Sequence, residues 1–238
     1  MKLNKYKTVT FVLVILVVIS LFGNLFQNNI LSEIAWVLIL PTLIYFYSIK
    51  KKHKNVFFTV FLIGFAISEF FKMWIFTSEL FNHYISYVFI MTAYCSLITF
   101  FLKGMDAKRL IKKFKFHIFI LITFNLYILY TLNQMILQDD SLEVFTFLFF
   151  LEVFYNLLIL SILSMSLLYY LYTETKQALL LFLACVCIVF SEMIQVAYYF
   201  ITEEIFLKIG YIVLMAIGFS FIYFYILLDI KSKSLIKQ

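Results

Sequence analysis

Apolar runs about 20 residues long recur along the whole of this chain, and no other feature limits its fold so strongly. As a helix rising about 1.5 Å per residue, each run crosses a bilayer core ~30 Å thick. The runs are twice as long as a barrel strand needs and lack period-two alternation, which argues against a transmembrane β-barrel. With 65% of the 238 residues hydrophobic and 13% charged, the chain also lacks the polar surface of a soluble domain. The expected fold class is all-α: a polytopic membrane protein, one domain over residues 1–238, forming a bundle of eight transmembrane helices. The spans fall at about 8–27, 33–49, 56–77, 83–102, 116–136, 144–172, 178–200 and 205–228.

Basic residues orient such a bundle. Of 19 Lys and Arg, 17 fall on one side: three before span 1, four in "KKKHK", six in "KGMDAKRLIKKFK", one in "TETKQ" and three in "IKSKSLIKQ". Both termini are thus expected to be cytoplasmic, with Trp36 and Trp74 toward the outer interface. The net charge of +6 follows from this topology and gives no reason to expect nucleic acid. The "KRLIKKFK" stretch reads first as a solvated loop that sets topology, and second as a contact for anionic lipid head groups. The start "MKLNKYKTVTFVLVILVVIS" has the flank and apolar core of a signal peptide but no small-residue cleavage pattern, so it reads as a retained first helix. Without a eukaryotic sorting signal, a bacterial cytoplasmic membrane is the default location.

Cys95, Cys185 and Cys187 lie within spans and read as packing residues. His53, His83 and His117 are isolated near span ends, and no glycine-rich nucleotide fingerprint occurs. No metal or cofactor is expected.

Ionisable groups within a span cost about 3 kcal/mol each on insertion scales and tend to face a bundle interior. Four occur here: Glu69, Lys72, Glu152 and Glu192. Helix rise puts Glu69 and Glu192 ~20 Å from the cytoplasmic edge and Glu152 in a similar layer, which suggests one polar cavity. Glu69 and Lys72 are three apart and able to pair. Glu152 shares a face with Tyr155 and Asn156, and Glu192 with Gln195 and Tyr199; Tyr87, Tyr94 and Asn125 add polar groups on spans 4 and 5. The competing reading is that these groups only join helices through hydrogen bonds.

Spans 3 and 4 can be superposed on spans 7 and 8. Ser68-Glu69, Glu79 and Tyr87 correspond to Ser191-Glu192, Glu203 and Tyr211 with a one-residue change in the loop. Four spans separate the copies, so this reads as a parallel repeat of two four-helix halves.

The eight spans, the early "LPTLIYFYS" before a basic loop, the acidic motif of span 3 and "FSEMIQVAYYF" in span 7 resemble the YhhN-type lysoplasmalogenase family of integral membrane proteins. The resemblance implies hydrolysis of the vinyl ether bond of a lysophospholipid by two intramembrane acids, which carry over to Glu69 and Glu192, with Pro41 matching a span 2 proline. Where that family has aspartates this chain has glutamates, Ser68 replaces a glycine, a Lys-Pro signature of span 2 is absent, and Tyr198-Tyr199 stand in place of Asn-Lys. The implied partner is a membrane lipid or lysolipid, with Glu69 assigned as base and Glu192 as acid. Two other functions fit the same residues: a proton-coupled transporter, and an inactive lipid-binding or sensory protein.

Overall fold

The computed structural model describes residues 2–26, 29–50, 55–73, 79–137, 147–202 and 204–235. Among the described residues there are eight helices and no strand: α1 (Lys2–Leu25), α2 (Asn29–Lys50), α3 (Val56–Met73), α4 (Glu79–Lys103), α5 (Ala107–Ile136), α6 (Phe147–Thr173), α7 (Lys176–Phe200) and α8 (Ile205–Leu235). Helices α2 to α8 are long and apolar enough to cross a bilayer, whereas the apolar stretch of α1, Thr8–Asn24, is shorter. The protein is thus a polytopic all-α membrane protein. Several expectations lie outside the described residues: Trp74 and the rest of 74–77 in span 3, 144–146 in span 6, His53 and the loop around it, Glu203, and the side chains of Glu79 and His83.

Helix ends follow from local chemistry. Asn55 Oδ1 accepts from the Phe57 amide at 3.0 Å, Asp106 from Lys108 at 3.1 Å and Thr175 from Ala178 at 3.2 Å, each satisfying an amide that the first turn leaves without a helical partner. One expectation changes. The basic stretch after residue 107 is helical, because α5 starts at Ala107 rather than near residue 116, and a non-helical residue, Phe114 (φ −118°, ψ 27°), kinks it.

The chain divides into two compact units, Met1–Ser96 and Leu97–Gln238. In the first, α1 and α2 are joined by hydroxyls. Ser32 Oγ donates to the Ser20 carbonyl at 2.9 Å and also takes a bond from Asn24. A Cβ on Gly23 would stand 2.9 Å from Ser32, so this close approach requires glycine. Helix α3 packs on α2 through Tyr47 and Phe58, with ring centroids 5.3 Å apart. It packs on α4 through Ser68 and Ser86, whose hydroxyls are 2.9 Å apart, and through Ser96, which donates to the Phe57 carbonyl at 2.7 Å.

In the second unit, α7 pairs with α8 through Ser191 Oγ, which donates to the Tyr211 carbonyl at 2.6 Å. Leu132, Ile136 and Val196 form a buried cluster joining α5 and α7, against which Phe149 of α6 packs. Asn125 Nδ2 on α5 donates to Ser164 Oγ on α6 at 2.7 Å. The outward side of α5 leaves Phe116, Phe119, Ile122, Tyr127 and Tyr130 exposed, as lipid contact requires.

Hydroxyls fall into two groups. Those of Ser32, Ser68, Ser96, Ser164 and Ser191 bind a neighbouring helix. Others, on Thr42, Thr92, Thr123, Thr131 and Ser161, donate to the carbonyl one turn back on their own helix at 2.7–3.1 Å.

Candidate functional site

Each of the two Ser-Glu motifs is described within its own unit. In the first, the serine faces α4 and the acid faces α2. Lys72 Nζ donates to Glu69 Oε1 at 2.8 Å, the i,i+3 pair that the spacing implies. The indole N–H of Trp36 donates to Glu69 Oε2 at 3.0 Å. Glu69 is half-buried and Lys72 exposed, so this carboxylate has a charge partner and an indole donor.

In the second unit the acid is more enclosed. Glu192 is 2% exposed and Tyr155 of α6 is 6% exposed. The Tyr155 hydroxyl donates to Glu192 Oε2 at 2.6 Å, at the short end of the range for O–H···O bonds. Beside Tyr155 on α6 lie Asn156, fully buried, and Glu152, 4% exposed and one turn earlier. Both polar atoms of the Asn156 amide are buried and make no hydrogen bond to any described residue. Helix α6 thus presents Glu152, Tyr155 and Asn156 within about one turn, and α7 meets it with Glu192.

The other expected site residues differ in burial. Gln195 is half-buried, but Tyr199 is exposed; its neighbour Tyr198 packs on Tyr211 of α8, with centroids 5.9 Å apart. Tyr94 is buried and packs edge-on against Phe65 at 6.0 Å, while Tyr87 is half-buried. Neither Trp36–Glu69 nor Tyr155–Glu192 is visible from helix periodicity, since each joins residues on different helices. Among the described residues no group of three or more His, Cys, Asp and Glu could hold a metal ion.

The helix pairs that carry the motifs share a register. Phe65 meets Tyr94 across α3 and α4. The superposition that matches Glu69 with Glu192 and Tyr87 with Tyr211 matches these two with Ile188 and Gly218, which also meet: a Cβ on Gly218 would lie 3.0 Å from Ile188 Cγ1. The serine of each motif binds the following helix, Ser68 at Ser86 and Ser191 at Tyr211, one residue out of step in that superposition, which matches Ser86 with Gly210.

A buried carboxyl held by a phenol inside a spanning helix pair can hold, give or take a proton where water is excluded. No family model, curated protein or solved structure matches this chain. Fold and site therefore define a class, a polytopic helical membrane protein with an enclosed acid–phenol pair.

Proposed function

We propose that this protein acts on a membrane-embedded amphiphile at Glu192, as a divergent lysoplasmalogenase-like hydrolase of a vinyl ether lysophospholipid. The observation that carries this reading is the 2.6 Å bond from Tyr155 to a carboxyl that is 2% exposed. An acid fixed in one orientation within an apolar span suits delivery of a proton to carbon, the step that vinyl ether hydrolysis requires. The proton adds to the outer alkenyl carbon and leaves an oxocarbenium ion. Water attacks that ion's carbon and loses its own proton, and the resulting hemiacetal collapses to an aldehyde and the alcohol of the glycerol backbone. In this proposal Glu192 supplies the first proton and Tyr155 is a positioning residue. Glu69 is the proposed base, and Glu69→Gln tests that role separately. The proposed setting is a bacterial cytoplasmic membrane, with eight spans and both termini cytoplasmic.

The test is aldehyde release from a 1-alkenyl lysophospholipid by purified protein in proteoliposomes. Glu192→Gln is expected to slow release by about 100-fold or more, the usual scale for losing a positioned proton donor. Full activity in that variant would overturn the assignment. The second reading, a lipid-binding or sensory protein without catalysis, is favoured by Glu69, where Lys72 and Trp36 between them engage both carboxylate oxygens. Under that reading no variant releases aldehyde and Glu69→Gln changes only stability.

A further inference from the structure

Helix α5 has 30 residues, which at about 1.5 Å each is ~45 Å, roughly 15 Å more than a hydrocarbon core takes up. The surplus cannot lie in hydrocarbon at the end that carries Lys108, Arg109, Lys112, Lys113 and Lys115, all of them exposed. That end is long enough to reach the level of the lipid phosphates. It is also built as a separate arm: Asp106 caps it, and the non-helical Phe114 separates it from the span. Leu110 and Phe114, 6% and 8% exposed, fasten its inner side. Ile111 within the arm and Phe116 just after it are exposed as well. Among the described residues two acids answer these five cations, Asp106 at 3.4 Å from Arg109 and Glu174 at 3.7 Å from Lys113, and both pairs are solvent-exposed and weak.

We propose that the arm from Ala107 to Lys115 is a binding site for the phosphate groups of anionic phospholipids. Its cations grip the head groups while Ile111 and Phe116 enter the acyl boundary, so α5 is held at its basic end by lipid as well as by protein. This goes beyond the hydrolase reading and does not depend on it.

The test reconstitutes the full chain in phosphatidylcholine bilayers containing spin-labelled phosphatidylglycerol or spin-labelled phosphatidylcholine, and compares the motionally restricted fraction of each. Wild type is expected to prefer phosphatidylglycerol, and the preference is expected to collapse between 0.1 M and 1 M salt as the screening length falls from ~10 Å to ~3 Å. Neutralising Lys108, Arg109, Lys112 and Lys115 to Gln should remove it, each single change lowering the relative affinity by up to about five-fold. Replacing Lys108, Lys112 and Lys115 by Arg should preserve it, as should replacing the N-terminal Lys2, Lys5 and Lys7 by Gln. A preference that ignores salt, or that survives in the four-residue variant, overturns the proposal. If the four-residue variant does not insert, the wild-type salt series and the N-terminal variant still decide it.

Discussion

Taking one oxygen from Tyr155 tests whether the buried acid is held as a unit. Tyr155→Phe keeps a ring that is 6% exposed, so packing is retained, and removes the donor 2.6 Å from Glu192. In soluble proteins a hydrogen bond contributes about 0.5–1.5 kcal/mol, or about 1.5–3 kcal/mol where one partner is charged. Between transmembrane helices, double-mutant cycles average ~0.6 kcal/mol and reach ~1.7 kcal/mol, because unfolded helices within a bilayer also find partners. The second scale governs here, since α6 and α7 both remain apolar spans when separated. A short bond with both ends buried belongs near its upper end, so the expected coupling is about 1–1.7 kcal/mol. The assay is reversible unfolding in mixed micelles of wild type, Tyr155→Phe, Glu192→Leu and the double variant. Leucine is chosen because glutamine would keep an acceptor oxygen. Each single change removes this bond, and the double variant should cost less than the sum of the two single changes, by the amount of the coupling. A coupling below about 0.3 kcal/mol, the level at which independent sites add, would refute the view that Tyr155 orients Glu192.

Two further outcomes follow from packing. Gly23→Ala sets a methyl 2.9 Å from the Ser32 amide nitrogen, which cannot yield, and should destabilise by about 1–3 kcal/mol; Gly210→Ala meets, among the described residues, only Ile194, at 4.0 Å, and should stabilise α8 by about 0.8–1 kcal/mol through helix propensity. Equal signs in one unfolding assay would contradict the close approach of α1 to α2. Asn156→Leu replaces a fully buried amide that bonds to no described residue and should raise thermal stability by about 1–3 kcal/mol; a fall in the midpoint would mean that the amide has a partner in the membrane.

Periodicity locates the helices because a bilayer demands long apolar runs, and α2, α7 and α8 begin within a few residues of where hydropathy puts them. It misses the start of α5 because a charged stretch reads as loop, although Lys and Arg are good helix formers and Asp106 supplies the cap. The stripes on α6 are legible as faces, and Glu152, Tyr155 and Asn156 are all buried. Their partners are not legible. Tyr155 reaches Glu192 and Trp36 reaches Glu69 across helix pairs whose rotation is set by close packing. Trp36 reads as an interface anchor because an indole has a polar edge, and that same edge is what Glu69 accepts. Tyr199 shares a helical face with Glu192 yet lies exposed, next to the last residue of α7.

The two groups of hydroxyls bear on how such a chain changes over time. Thr42, Thr92 and Thr123 close their own bonds on the preceding turn, so to surrounding lipid they are little more polar than valine. Exchange between the two residues on those faces is then nearly silent, whereas Ser68, Ser96 and Ser191 each hold a neighbour that valine would release. A hydropathy scale gives every serine one value and so cannot tell a fastening from a fringe.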